Sequence, residues 1–325
     1  MFIAIIAGLF VEGRVPPGSV IDSGAKDGGF SCYLMPIAGD RKFHAIEPLR
    51  NNVATISSRF SRCGRLDVAQ CALGEHRARL DPGDSASKKE QLTSGPHIPA
   101  AGKVESREAF DVASIDELLL PTAGSPCGRG WAPGETVGLV HLDVEGAELS
   151  ALRGARRAML RDTPLLTLEL HVHQNVSYTR ALLAETRSLG YDCYLVEEIC
   201  GLRADCRNLI CLPHSRRRRF LGSPVLDLAT ASRKLFQVDA DSMRTHAYPC
   251  CADGAECCLR GSTHRHCCTK ETVTAWMRKA RREHNESSLQ RDPALYAPSV
   301  FFWQSRYRFP GPAPSDRGYH ILQRR

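Results

Sequence analysis

The fold of this 325-residue chain is decided by the segment Val20–Phe30, which reads VIDSGAKDGGF. Its apolar start predicts a buried strand, and the glycines that follow predict a tight turn into a helix. A second short strand, Phe43–Ile46, ends at the acid Glu47. A glycine-rich first turn and an acid at the end of the second strand are typical of the nucleoside-binding half of a doubly wound α/β sheet.

The chemistry of this turn favours a cationic ligand over a pyrophosphate. Dinucleotide-binding turns have the pattern G-x-G-x-x-G, which directs helix amides at phosphate. Here Gly24 and Gly28 form G-x-x-x-G directly after Asp22. A carboxylate there repels a pyrophosphate but suits the sulfonium and ammonium of S-adenosylmethionine, while Glu47 suits the two hydroxyl donors of a ribose. The pattern therefore disfavours a dehydrogenase.

A third segment, Val137–Glu148, is an apolar strand that ends in three acids around a glycine. In an open α/β sheet, ligands bind beyond the carboxyl ends of the strands. Asp143 is therefore expected on the same rim as the two acids already named. Glu145 and Glu148 have an equally good interpretation as acids at a helix N-terminus, where negative charge is favoured.

Five motifs in this order resemble the FkbM family of S-adenosylmethionine-dependent methyltransferases, over about residues 9 to 213. The family pattern D-x-G-A-N-x-G stands as Asp22–Gly28, E-P as Glu47-Pro48, A-x-G as Ala72–Gly74, K-I-D-V-E-G-x-E and L-x-G-A as His141–Glu148 and Leu152–Ala155, and the strand ending E-x-H as Leu168–His171. The resemblance implies a doubly wound, Rossmann-like class I methyltransferase sheet with helices on both faces.

The resemblance also implies a cofactor, a reaction and a set of site residues. The cofactor is S-adenosyl-L-methionine, and the reaction is expected to be O-methylation of a hydroxyl on a small molecule or sugar. The expected cofactor-binding residues are Asp22, Gly24, Gly28, Glu47, Ala72 and Asp143. The expected catalytic residues are Asp143, His171 and Glu145, and no metal ligand is expected.

An acceptor hydroxyl must lose a proton, so a base is expected on the rim. His171 is a candidate because the ordinary pKa of histidine, near 6.5, suits a base at neutral pH. His173 is better interpreted as a surface-loop histidine. Glu169, at the end of the same strand, either orients a histidine or is structural.

Two residues depart from the family pattern. Lys26 replaces the usual Asn of the first motif, and His141 replaces the usual Lys of the fourth. Lys26 brings a second cation to a site expected to hold a sulfonium, unless its long stem carries the ammonium into water. These departures keep open an alternative, a catalytically degenerate methyltransferase fold that acts as a binding or scaffold module through its C-terminal extension.

The charge distribution predicts two domains, a methyltransferase domain over 1–215 and a basic extension over 216–325. The extension holds 20 Lys and Arg against 10 Asp and Glu, whereas the whole chain holds 43 against 36. The extension begins with the run Arg216–Arg219, which suits nucleic acid, a nuclear import receptor or anionic lipid. A solvated linker is the preferred interpretation, and no nucleic-acid partner is expected.

Six cysteines crowd the segment Cys250–Cys268, together with His264 and His266. A zinc module, a disulfide-stapled module and an unfolded low-complexity tail all remain open, because adjacent Cys-Cys pairs fit neither of the first two patterns decisively. The eight other cysteines, several of them in apolar strands, are interpreted as buried free thiols, which predicts a reducing, cytoplasmic location.

No apolar run reaches the roughly 18 residues that a membrane span needs. The segment Met1–Phe10 lacks the basic residues of a signal peptide and is expected to form a buried or amphipathic helix. Strands are expected near 19–22, 42–46, 66–70, 137–142, 165–170, 192–196 and 208–212. Helices are expected near 29–37, 49–60, 115–120, 147–160 and 177–189. The Pro- and Gly-rich segments 81–107 and 121–135 are expected to be loops.

Overall fold

The computed structural model describes residues 2–61, 64–80, 109–119, 127, 131, 134–171, 176–196, 206–231 and 235–238. The strands are β1 Ser19–Ser23, β2 Phe43–Ile46, β3 Leu66–Ala69, β4 Ala72–Leu73, β5 Ala78–Leu80, β6 Phe110–Ala113, β7 Val137–Leu142, β8 Leu165–His171, β9 Tyr191–Val196, β10 Cys206–Pro213 and β11 Leu235–Val238. The α-helices are α1 Phe2–Val11, α2 Gly29–Leu34, α3 Arg50–Arg59, α4 Ile115–Leu118, α5 Glu148–Gly154, α6 Arg156–Asp162, α7 Val176–Ser188, α8 Arg217–Phe220 and α9 Pro224–Ala231.

Eight strands form the central sheet in the order β11-β9-β10-β8-β7-β1-β2-β3. Five neighbouring strands of this sheet are parallel, namely β8, β7, β1, β2 and β3. Strand β10 pairs antiparallel with both β8 and β9. The strand order reverses at the β1–β7 pair, because β2 and β3 follow on one side of it and β8 on the other. Ligands bind at such a switch point. The carboxyl ends of β1, β2, β7 and β8 therefore lie at one edge. The predicted α/β fold with a mostly parallel central sheet is confirmed.

Alternate residues of the central strands face two separate helical layers. On one face, Val20 and Leu139 pack in a cluster with α1, α2 and α9, where Ile5, Ile6 and Leu9 have no exposed surface. On the other face, Ile21 packs with α4, α5, α6 and α7. This alternation follows from the period of two in a strand and explains why the parallel strands are apolar throughout.

A second sheet of three strands, in the order β4-β6-β5, packs beside α5. A Cβ on Gly154 would lie 2.1 Å from the carbonyl oxygen of Gly74, so this contact requires glycine. The short helix α4 begins with a capping box in which Ser114 and Glu117 bond each other's backbone amides. The predicted helix near 115–120 is therefore confirmed. The predicted helix over 147–160 forms as two helices, α5 and α6, that meet at Ala155.

The structure moves the domain boundary that the charge pattern predicts at residue 215. Helices α8 and α9 and strand β11 all lie beyond that residue, and β11 pairs with β9 in the central sheet. A Cβ on Gly8 of α1 would lie 2.8 Å from Val225 of α9, so these helices are in close contact. The fold therefore continues to at least Val238.

The basic run Arg216–Arg219 is part of this fold and not a solvated linker. The Arg216 side chain donates to the Thr163 hydroxyl at 2.6 Å and to the Asp162 carbonyl oxygen at 2.9 Å. Arg219 donates to the carbonyl oxygen of Arg14 at 2.6 Å, and Arg14 donates back to that of Arg219 at 2.7 Å. Two of the four arginines therefore hold backbone carbonyls through charge-assisted hydrogen bonds.

Four of the cysteines interpreted as free thiols form two disulfides. Cys71 bonds Cys127, and Cys193 bonds Cys211 directly across the β9–β10 pair. Directly opposite positions on antiparallel strands place two side chains next to each other on one face of the sheet, which allows the two cysteines to bridge. The free-thiol interpretation is therefore wrong for these four residues. The argument for a reducing compartment depended on that interpretation and no longer holds. Cys32 is free.

No helix in the described ranges is long and apolar enough to cross a membrane. The predicted helix at the start of the chain forms as α1 and is largely buried. Outside the described residues lie the segment 81–107, most of 121–133, the Cys-rich segment 250–268 and the histidine at position 173.

Candidate active site

The glycine turn after β1 sits directly against the loop after β7. Gly24 has φ +76°, a conformation that favours glycine. A Cβ at this position would lie 1.8 Å from the carbonyl oxygen of Asp143. The amide of Asp143 in turn donates to the carbonyl oxygen of Ser23 at 3.1 Å. The first and fourth motifs therefore meet backbone to backbone, and only glycine allows that approach.

Asp22 lies beneath this turn and is 1% exposed. Its Oδ2 atom accepts from the backbone amide of Ser31 at 3.2 Å and from the Ser31 hydroxyl at 2.5 Å. Ser31 is in the first turn of α2, whose N-cap residue, Gly28, offers no side chain, so Asp22 supplies the missing acceptor. Burial raises the pKa of Asp22 to about 6, and the two Ser31 bonds oppose that rise.

Glu47 is fixed at the end of β2 by two backbone amides and is 4% exposed. Lys26 donates to Oε2 at 2.9 Å and Leu49 donates to Oε1 at 3.0 Å. Each carboxylate oxygen can accept more than one hydrogen bond, so both retain capacity for ligand hydroxyls. We call Asp22, Gly24, Gly28 and Glu47 the donor side.

Lys26 has φ +52° and an exposed side chain. Asn adopts this left-handed conformation more readily than most residues, which accounts for Asn at this position of the family pattern. The requirement at residue 26 is therefore one of backbone conformation and of an amide for Glu47. The long side chain of Lys26 lies at the surface.

Three carboxyl groups meet on the other side of the switch point. Asp143 follows β7, Glu169 lies near the end of the neighbouring strand β8, and Glu145 lies in the loop after Asp143. One oxygen from each lies within 4.8 Å of the other two. Glu169 is 7% exposed, Asp143 is half-buried and Glu145 is exposed. We call these three residues the acid cluster.

The acid cluster holds protons more tightly than isolated carboxyls do. Burial raises the pKa of Asp143 to about 9, and the hydrogen bond from Asp143 to Glu169 and the negative charges of Glu169, Glu145 and Glu148 add to that rise. Two carboxyl groups can share a hydrogen bond only when one of them carries a proton. A proton between two of these carboxyls therefore reduces the repulsion among the three acids.

Glu148 holds the loop of the acid cluster and is 1% exposed. Its Oε1 atom accepts from the amides of Val144 at 3.2 Å and Gly146 at 3.0 Å. Its Oε2 atom accepts from the buried hydroxyl of Tyr178 at 2.8 Å. Of the two interpretations left open for this acid, the one at the helix start is correct, and Glu148 fixes the loop that presents Asp143 and Glu145.

An aromatic stack lies behind the acid cluster. The rings of Phe30 and His141 stack with centroids 4.0 Å apart, and the Phe2 ring lies 5.7 Å from that of His141. The Thr167 hydroxyl donates to the Val140 carbonyl oxygen, so its oxygen accepts the Nδ1 proton of His141 at 2.9 Å. Burial lowers the pKa of His141 to about 4. A neutral imidazole therefore stands where the family pattern has a charged Lys.

The structure brings together most of the predicted site residues. Ala72 lies in β4 of the small sheet, where it pairs with Val112. The backbone of His171 ends β8, but its side chain lies outside the described residues. Sequence reasoning gave Ser31 no role and left that of Glu169 open. Glu169 could have been found because it falls beside Asp143 once β7 and β8 are paired, whereas nothing in the sequence signals Ser31.

A family model described as the Methyltransferase FkbM domain matches residues 22–193, which is more than half of the chain. The chain belongs to the FkbM methyltransferase family. The match spans the donor side, the acid cluster and the small sheet, so the family expectation drawn from the motifs is confirmed. The chain therefore carries a methyltransferase domain.

Solved structures include several methyltransferases similar to this chain. The FkbM methyltransferase of Methylobacillus flagellatus is 24% identical with a TM-score of 0.39, over 59% of this chain and 43% of that one. The fibrillarin of Aeropyrum pernix, solved with natively bound S-adenosyl-L-methionine, is 12% identical with a TM-score of 0.34, over 64% of this chain and 74% of that one. This chain thus spans less than half of the FkbM structure. No curated protein matches it.

Proposed function

We propose that this domain transfers a methyl group from S-adenosyl-L-methionine to a hydroxyl of a small molecule or sugar. The observation that carries the proposal is the backbone contact between Gly24 and Asp143, which joins the donor side to the acid cluster. A donor and an acceptor held in one place gain most of the rate of a displacement from proximity and alignment.

The donor side fits the cofactor in both shape and charge. Gly24 and Gly28 keep side chains out of the turn, and a Cβ on Gly28 would lie 2.6 Å from the Phe60 ring. Glu47 has spare acceptor capacity for ribose hydroxyls. The carboxyls of Asp22 and Asp143 complement a ligand that carries an ammonium and a sulfonium. When bound, the cofactor supplies an electrophilic methyl group whose bonding pair leaves with sulfur as the acceptor's carbon–oxygen bond forms.

The acid cluster has a different task in this proposal. An acceptor hydroxyl must give up its proton as it is methylated, and a carboxylate within hydrogen-bond reach takes it. Asp143 is half-buried at the rim, next to the glycine turn, and so is better placed for this task than the exposed Glu145. Glu145 is exposed and can orient an acceptor from the solvent side.

The alternative of a catalytically degenerate scaffold depended on Lys26 and His141. The exposed side chain of Lys26 does not add a charge to the buried donor side. His141 is neutral and packs in the aromatic stack. Both observations favour the enzyme over the scaffold.

The test is transfer of a labelled methyl group from S-adenosylmethionine to a panel of sugars and hydroxylated small molecules, followed by base treatment of the products. Base-stable label on an oxygen supports the proposal, and Asp143→Asn should reduce it at least about 100-fold, the usual contribution of a general base. Label on nitrogen or carbon, or no transfer by protein that binds the donor, would overturn O-methylation.

A further inference from the structure

We propose that Glu169 is a positioning residue that shares one proton with Asp143, so that the pair, and not Asp143 alone, takes up the proton of the acceptor hydroxyl. This inference rests on the proposed function, because it assigns the base of the same reaction. It assigns a role to a residue on a second strand, β8. The sequence analysis had left open whether this residue orients a histidine or is structural.

The first support is the position of the two carboxyls. Strands β7 and β8 are parallel neighbours, with His141 opposite Thr167 and Leu142 opposite Leu168. The next position along each strand puts Asp143 beside Glu169, and one carboxyl oxygen of each lies within 4.8 Å of the other. Glu169 is the more deeply buried of the two. Asp143 therefore faces the rim and Glu169 lies behind it.

The second support is the negative charge of the groups that raise the pKa of Asp143. The charged groups that act on Asp143 are Glu169, Glu145 and Glu148, all of them acids. His141, two residues earlier on β7, is neutral because it is buried. The side chains from α1 and α2 that contact the His141 ring are phenyl rings. A proton shared by Asp143 and Glu169 reduces the repulsion among these acids.

This arrangement gives the pair two states that differ in where the proton lies. Without a cation nearby, one proton lies between the two carboxyls. A positive charge close to Asp143 favours its ionised form, so the pair releases its proton to solvent. Ionised Asp143 then accepts the acceptor's proton: the hydroxyl O–H bond breaks, its electron pair stays on oxygen, and a new O–H bond forms on Asp143. The pair then holds one proton again, as it did before the cofactor bound.

The inference can be tested without knowing the acceptor, because the cofactor and its demethylated product differ by one positive charge. S-adenosylmethionine carries a sulfonium, whereas S-adenosylhomocysteine carries a neutral thioether. Calorimetric titration of the full chain at about pH 8, in buffers of different ionisation enthalpy, counts the protons released on binding. We expect release on binding S-adenosylmethionine and clearly less on binding S-adenosylhomocysteine.

The variant Glu169→Gln should remove this difference. Glutamine donates to Asp143 but cannot hold its proton, so Asp143 is already ionised before the ligand binds. Glu169→Asp, which keeps a carboxyl, should retain part of the difference. Glu185→Gln is the matched control, because it removes a carboxyl from α7, away from the acid cluster, and should leave the proton count unchanged.

Equal proton release for both ligands in the wild type would overturn the inference, as would a difference that persists in Glu169→Gln. Binding of neither ligand would instead overturn the proposed function. Should Glu169→Gln not fold, infrared spectra of the wild type decide the question. A protonated-carboxyl band that weakens in the S-adenosylmethionine complex relative to the S-adenosylhomocysteine complex supports the shared proton, and an unchanged band contradicts it.

Discussion

The donor side and the acid cluster hold their carboxyl groups in different ways. Asp22 and Glu47 are bonded by backbone amides, from Ser31 in one case and from Lys26 and Leu49 in the other. Asp143 is bonded by another carboxyl, that of Glu169. Both Asp22 and Asp143 are raised in pKa mainly by burial, yet to about 6 in the first case and about 9 in the second.

The difference teaches that the partner of a buried acid decides what the acid can do. Amide and hydroxyl donors favour the ionised form and offset burial, so the donor side keeps a fixed arrangement of charge. A neighbouring acid disfavours the ionised form, so the charge of the acid cluster depends on the ligand and on pH. The first arrangement suits binding and the second suits proton transfer.

The largest expected effect comes from adding a side chain where the donor side contacts the acid cluster. Gly24→Ala places a Cβ against the Asp143 carbonyl at a left-handed φ, so we expect a loss of about 3 kcal/mol or more in the free energy of unfolding. Gly39→Ala is the control, because φ is +66° there but nothing lies within 4 Å of the added atom. Urea unfolding measures both, and equal losses would show that the contact carries no cost of its own.

A smaller effect is expected from loosening the loop of the acid cluster. Tyr178→Phe removes the hydroxyl that donates to Glu148, which should cost about 1.5–3 kcal/mol because the acceptor is a buried carboxylate. Tyr191→Phe removes a buried hydroxyl that donates to the carbonyl oxygen of Pro164 at 3.0 Å. The neutral acceptor should make that loss about 1 kcal/mol. If chemical denaturation gives the reverse order, Glu148 does not hold the loop as the contacts indicate.

The pH dependence of stability should report the acid cluster alone in a suitable window. The folded-state pKa of Asp143 is raised, so its contribution to stability is present below about 3.8 and is lost as pH rises toward about 9. His141, with a lowered pKa, loses stability in the opposite direction, below pH 6.5. Between about pH 6.5 and 9, the free energy of unfolding should therefore fall in the wild type.

Asp143→Asn should make this fall shallower by roughly 1–2 kcal/mol across the window, since the amide does not titrate. Asp40→Asn, which alters an exposed carboxylate, should leave the slope unchanged. Thermal unfolding of the three proteins at several pH values provides the comparison. A slope in Asp143→Asn equal to that of the wild type would assign the pH dependence to other groups.

The smallest expected effect is a gain of stability on the donor side. Lys26→Asn suits the left-handed backbone better and should stabilise the fold by about 0.5–1 kcal/mol. Binding of S-adenosylhomocysteine should not change, because the side chain is exposed and only the amide reaches Glu47. Lys42→Asn, at an exposed residue with ordinary φ, is the control. Tighter ligand binding by Lys26→Asn would instead show that the ammonium opposes the cofactor.

The parallel half of the sheet could be predicted from the sequence because its signals are local. Apolar runs that end in Asp22, Glu47 and Asp143 mark strand, carboxyl end and site at once. The acid cluster was only half predicted, since Glu169 joins Asp143 through strand pairing and not through chain proximity. The raised pKa of Asp143, which depends on that pairing, could not be predicted from the sequence either.

Strands β9 and β10 were predicted, but helix α9 and strand β11 beyond them were not, for a different reason. The arginine run masked the apolar positions Val225, Leu226 and Ala229, whose helical spacing marks the buried face of α9. Those arginines bond backbone carbonyls on distant segments, which charge counting does not reveal. The disulfides were missed because Cys193 and Cys211 become neighbours only when β9 and β10 pair in register.

The most direct test of this account is calorimetric binding of S-adenosylhomocysteine to the full chain, compared with Glu47→Gln and with Asp111→Asn, a control on the small sheet. The account predicts binding in roughly the micromolar range for the wild type and the control, and at least about 10-fold weaker binding for Glu47→Gln. Folded wild-type protein that does not bind, or a Glu47→Gln variant that binds as well as the wild type, would contradict it.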